Sequence, residues 1–252
     1  MRCRSLWMLG VTLGICLAAC SHDTGFKKAS PAVTAATNMQ LAIEYMKLGQ
    51  LANSRDCIEQ ALREDPGNAN VQMTAGLVYE RLNEMPKAER AYSTGYRLGK
   101  SDPNIQNTYA GYLCRTGKAV AGEKLFGEIA RSPLYQTPEV ALVNAGVCAR
   151  STGDVVDAER YFNRALAVRP NSPEAMLQLG NIAFDRGDPA QAVDVVQRYL
   201  AVNPPTAEVL WLGVRAERKL GDTTAAAAYA RRVQTEFPNS EQALLMRSGV
   251  ER

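Results

Sequence analysis

A turn-forming residue returns at a nearly fixed interval along this chain. It stands at Gly49, Asn83, Gly117, Gly153, Gly187 and Gly221, with spacings of 34, 34, 36, 34 and 34 residues. A period of this length marks a repeat array, in which no unit can bury its apolar face alone and each stacks on its neighbours. Other positions keep the same register. Seven residues before the turn come Ala42, Gly76, Ala110, Gly146, Gly180 and Val214, mostly small enough for close helix approach. Five after it come Ser54, Ala88, Gly122, Ala158, Ala192 and Ala226. Nine after it come the bulkier Ile58, Tyr92, Phe126, Phe162 and Val196, with Ala230 in the last unit. Pro66, Pro170, Pro204 and Pro238 follow at seventeen, where a residue without an N–H stops a helix. Each unit therefore reads as two antiparallel helices.

Period and consensus together are those of the tetratricopeptide repeat. The expected fold is all-α, a right-handed superhelical solenoid of six repeats starting near residues 35, 69, 103, 139, 173 and 207, in a domain spanning 35–252. An alanine-rich composition with only 7% aromatic residues suits helices. After Pro238, Asn239 or Ser240 is placed to cap a last helix reaching about Arg247. Its Ala243, Leu244, Leu245 and Met246 are expected to cover the open end of the stack.

The N-terminus points to export. Arg2 and Arg4 precede an apolar stretch, Leu6 to Leu17, too short for the about 20 residues a membrane-spanning helix needs. Leu17-Ala18-Ala19-Cys20 then resembles a bacterial lipobox, which predicts a signal peptide over 1–19 and an acylated Cys20 as the first mature residue. Two or more acyl chains suffice for stable attachment to a lipid bilayer. Ser21 rather than aspartate beside that cysteine implies outer-membrane delivery, with the chain facing the periplasm. Residues 20–34, small and polar, read as a lipidated tether.

Several classes of chemistry lack their residues. Loss of Arg2 and Arg4 from the 29 basic residues leaves 27 against 26 acids, a balance with no footprint for nucleic acid. The single histidine, His22, lies two residues from the lipidation site, and no phosphate- or dinucleotide-binding glycine loop is present. No enzyme, metal site or cofactor is expected. Of six cysteines, Cys57, Cys114 and Cys148 remain in the folded part. A disulfide between Cys114 and Cys148, in first helices of adjacent repeats, is geometrically conceivable. Burial as small hydrophobes is the commoner fate of cysteine at such positions and is the expectation here.

In this type of solenoid the first helix of each repeat lines a concave groove, through its second, fifth, ninth, twelfth and thirteenth residues. The partner-binding candidates are Met39, Ile43, Met46, Met73 and Leu77 in repeats one and two, and Asn104 and Asn107 in repeat three. Val143, Asn181, Trp211 and Arg215 follow in repeats four to six. Methionines adapt to irregular ligands, and Trp and Arg are typical interface anchors. The methionine strip reads equally well as packing beneath the N-terminal tether, and Trp211 as filling the last gap between repeats.

One segment is more specific than the repeats. Asn107-Thr108-Tyr109-Ala110-Gly111-Tyr112-Leu113-Cys114 is similar to the N-x-Y-G-x-F-L-C stretch of the type IV pilus biogenesis lipoproteins called PilF or PilW, the pilotin group. Pro133-Leu134-Tyr135 and Asn144-Ala145-Gly146-Val147-Cys148 resemble that family's PLY…NAG-[LV]-C segment, and the PLY region lies in the lengthened interval. The resemblance covers roughly residues 17 to 245. Thr108, Ala110 and Gly213-Val214 depart from it mildly. It implies a non-enzymatic outer-membrane lipoprotein that binds the type IV pilus secretin subunit and promotes its localisation and multimer assembly. Two other roles fit a lipid-anchored repeat array: a scaffold for general outer-membrane barrel assembly, and a periplasmic regulator of cell-wall enzymes.

Overall fold

The structure, a computed structural model, describes residues 30–248. Its helices alternate down the chain as first and second members of a hairpin. The first pair is α1 (Pro31–Lys47) and α2 (Leu51–Glu64), followed by α3 (Ala69–Arg81) with α4 (Met85–Leu98) and α5 (Pro103–Arg115) with α6 (Ala119–Ile129). Next come α7 (Pro138–Ser151) with α8 (Val155–Val168) and α9 (Pro173–Asp185) with α10 (Pro189–Val202). The last pair, α11 (Ala207–Leu220) and α12 (Thr223–Glu236), is closed by α13 (Glu241–Ser248). Each helix packs on the next, and first helices also meet across repeats, α1 on α3, α3 on α5, α5 on α7 and α9 on α11.

The turn residues are fixed by backbone conformation, not by space. All five glycines have φ between 72° and 85°, and Asn83 has φ 59°. A Cβ added at any of those glycines would meet nothing within 4 Å. The left-handed backbone is what favours glycine there, with asparagine as the tolerated alternative.

Space decides the small positions instead. A Cβ on Gly76 would lie 2.7 Å from the ring of Tyr92, and one on Gly146 would lie 2.6 Å from the ring of Phe162. The aromatic knob of the second helix thus lies against the bare backbone of the first. Ser54, fully buried, satisfies its hydroxyl by donating to the Ala42 carbonyl at 2.8 Å. The prolines act as stops: α2, α8, α10 and α12 each end two residues before Pro66, Pro170, Pro204 and Pro238.

The core passes from repeat to repeat without a break. Tyr96 and Tyr109 pack against both the first cluster of buried residues and the second, Ala130 and Tyr161 link the second to the third, and Leu166 links the third to the last. In the lengthened interval, Tyr135 of the PLY segment turns inward and is buried in the second of these clusters.

Three expectations need correction. Residues 31–34, read as tether, belong to α1, which starts at Pro31 because Ser30 accepts from the Val33 N–H and proline suits a first helical position. In α13, capped by Ser240, Ala243 is buried and Met246 packs on the core, but Leu244 points into solvent at 55% exposure. Cys114 and Cys148 are not separate buried thiols: they form a disulfide across α5 and α7, with Cα atoms 5.5 Å apart. The repeat interval here is 36 residues, so at a separation of 34 the twelfth position of repeat three meets the tenth of repeat four. Cys57 is free and half-buried. The signal segment 1–19, Cys20 and the tether up to residue 29 lie outside the described residues. Among the described residues, no helix is long and apolar enough to cross a membrane, and no cluster of side chains could hold a metal ion.

Candidate functional site

The first helices supply two concavities on one face of the solenoid. The smaller, about 390 Å³, lies over α3, α5 and α7. Leu77, Gly111 and Val147 line it, with Asn107 and Asn144 joined by a 3.2 Å hydrogen bond and the disulfide closing its base. The larger, about 690 Å³, lies between α9 and α11, with Gln242 of α13 at its edge. Leu177 and Trp211 form its apolar part, Asn181 and Arg215 one end, and Glu174 and Glu208 the other.

Polar groups in the smaller site are mutually satisfied. Arg115 donates to both carboxylate oxygens of Glu80, at 2.7 and 2.9 Å, and the Tyr92 hydroxyl adds a third bond at 2.8 Å. Burial works to raise the Glu80 pKa, but the bonds from Arg115 and Tyr92 outweigh it and hold the carboxyl below its usual value. Burial, then the Glu80 partner, pushes the Tyr92 hydroxyl up.

The larger site is different. Arg150 of α7 is fully engaged, donating to Gln178 and Asp185 at 2.7 Å each. Arg215 has only one side-chain acceptor among the described residues, the Asn181 amide oxygen at 3.1 Å, and stacks 4.6 Å from the Phe184 ring centroid. Its Nε is buried and unbonded. Burial draws this guanidinium below the usual arginine value; Asp185 opposes that and Arg150 adds to it.

Comparison with other proteins follows the same geometry. Tetratricopeptide-repeat models match residues 39–103, 149–212 and 208–240, together more than half of the chain. This is a tetratricopeptide-repeat protein. The array is similar to the type IV pilus assembly protein PilF of Pseudomonas aeruginosa, with 20% identity over 80% of either chain. A crystal structure of PilW, a type IV pilus biogenesis factor, superposes with a TM-score of 0.69 at 28% identity, covering 84% of this chain and 97% of PilW. The solved P. aeruginosa PilF gives 0.65 at 18% identity, over 88% of this chain and all of that one.

The tetratricopeptide register sorts the candidates. Leu77, Asn107, Asn181, Trp211 and Arg215 line the two concavities. Met73 and Val143 do not: at 5% and 7% exposure they are core residues. Met39 and Met46 pack against the first core cluster, Ile43 is half-buried, and Asn104 is exposed away from both concavities. The correction is one of helix angle. Fifth positions point at the neighbouring helix and form floor or core, while sixth and ninth positions form the walls. Thr108, Asn144 and Gln178, all sixth positions, are the residues missed. Their signal was a polar residue three before each ninth position, a stripe about one residue round from the one read.

Proposed function

We propose that this chain is an outer-membrane lipoprotein that holds type IV pilus secretin subunits and promotes their assembly into the multimeric ring. The observation that carries the reading is the extent of the likeness to PilW, which spans 97% of that pilus factor and not isolated repeats. Identity of 28% over most of the array, with the PLY segment seated in the core by Tyr135, supports this reading over a generic scaffold. Acylated Cys20 would deliver the groove to the inner face of the outer membrane. An unassembled subunit held there meets its fellows at raised effective concentration, so assembly is promoted without turnover or cofactor.

The test is the amount of heat-resistant secretin multimer in outer-membrane fractions of cells lacking the gene. The expected result is loss of multimers, restored by the wild-type chain and not by Cys20→Ala. Normal multimers in the deletion strain would overturn the assembly role. Restoration by Cys20→Ala would remove the anchor from it.

A further inference from the structure

We infer that the trough between α9 and α11 is a built recognition site for an extended protein segment carrying an acidic and a basic side chain about three residues apart, with an apolar side chain between them. The inference rests on the reading of the groove as a holder of protein and specifies the chemistry of the segment held.

The two helices are first members of consecutive repeats, so equivalent positions face each other in rungs. At one end, Glu174 and Glu208 are both second positions. In the middle, Leu177 and Trp211 are both fifth positions, and at the other end Asn181 and Arg215 are both ninth. Second and ninth positions on one helix are separated by about 10 Å along its axis. That is about three residues of extended chain. The trough is thus acidic at one end, apolar in the middle and cationic at the other.

The charges at its ends are not consumed by the fold. Arg215 makes no ion pair among the described residues: Asp185 acts on it only at longer range while bonded to Arg150, and its one side-chain acceptor is a neutral amide. Its Nε is buried and unbonded, a group that loses water without gaining a partner. Arg150 of α7 shows the contrast, since Gln178 and Asp185 take both of its terminal nitrogens. Phe184 beneath the Arg215 plane holds the guanidinium in place, so a carboxylate arriving from the groove finds a fork already oriented. Glu174 is tied by one oxygen to Gln178 and keeps the other for an incoming cation. Trp211, only 8% exposed, is a rigid apolar floor whose edge contacts whatever lies between the charges.

The experiment is selection of a random 12-residue peptide library displayed on phage against the full chain in detergent. Affinities of the enriched peptides are then measured by fluorescence anisotropy. Enriched sequences should share an acid and a base three apart with a bulky apolar residue between them. Changing the peptide acid to its amide should weaken binding to the wild-type chain about tenfold or more. The same change should have little further effect on the Arg215→Gln chain, and Arg215→Glu should prefer a peptide with lysine in place of the acid. Matching thermal melts of the variants exclude unfolding as the cause. Enrichment without an acid, equal losses on wild type and Arg215→Gln, or no enrichment over Arg215→Gln would each overturn the proposal. The selection contains no secretin, so it can succeed where the assembly role fails, and fail where that role stands.

Discussion

The two concavities share the fifth, sixth and ninth positions of first helices, yet one is finished and the other is left open. Over α3, α5 and α7 the cation is paired, Arg115 to Glu80 and Tyr92, and the helices are joined covalently through Cys114 and Cys148. Stacked tyrosines stiffen this half further, Tyr92 on Tyr112 at 4.3 Å and Tyr96 on Tyr109 at 4.5 Å. Among the described residues no such staple joins α9 and α11, and half-buried Arg215 makes no ion pair, Asp185 acting on it only at longer range. A repeat array can therefore divide stability and recognition between its ends, because each repeat answers only to its neighbours.

The sharpest way to break this division is at the joint. Phe162 is fully buried between the two halves, over the backbone of Gly146. Phe162→Ala should cost about 3–5 kcal/mol and make denaturant unfolding biphasic, with the C-terminal repeats lost first. A single cooperative transition at the wild-type midpoint would contradict it. Replacing Cys114 and Cys148 together by serine should cost about 2–4 kcal/mol, since the bridge closes a loop of one repeat. Thermal melts would show the loss, and peptide binding in the α9–α11 trough should persist.

Glu80→Gln should cost less, about 1–3 kcal/mol, by replacing a charge-assisted pair with neutral bonds. The pH dependence has a definite sign. Glu80 has its folded pKa lowered from 4.5, so its contribution is present above that value and is lost as pH falls through the folded pKa. Melts from pH 6 downward should therefore lose stability less steeply in Glu80→Gln than in wild type. Smallest of all should be Arg215→Gln, whose melting stability should shift by less than about 1 kcal/mol, because no ion pair is broken. A large loss there would mean that Arg215 serves the fold and would erase the contrast between the two halves.

What the sequence made legible follows from what each position responds to. Turn glycines and stop prolines answer to backbone conformation, a local property, so Gly49 through Gly221 and Pro66 through Pro238 could be assigned from spacing alone. The wall of the groove answers to the angle between neighbouring helices. A shift of about one position therefore placed Met73 and Val143 in the core and brought Asn144 and Gln178 to the surface. The disulfide was an intermediate case. First helices of adjacent repeats carry Cys114 and Cys148, but their registers differ by two residues, and whether two nearby sulfurs bond depends on a separation that spacing does not measure. The state of Arg215 was least legible, because it depends on Asn181, Phe184 and Asp185 of another repeat, whose distances spacing does not measure.

Under the proposed lipidation, the early start of α1 would limit how far the array can travel. Ser30, which caps α1, stands only ten residues beyond Cys20. With Cys20 acylated, ten residues of chain allow a leash of at most about 36 Å, even drawn taut. The first repeat would then patrol a thin shell beside the bilayer, and cargo would have to come to it there.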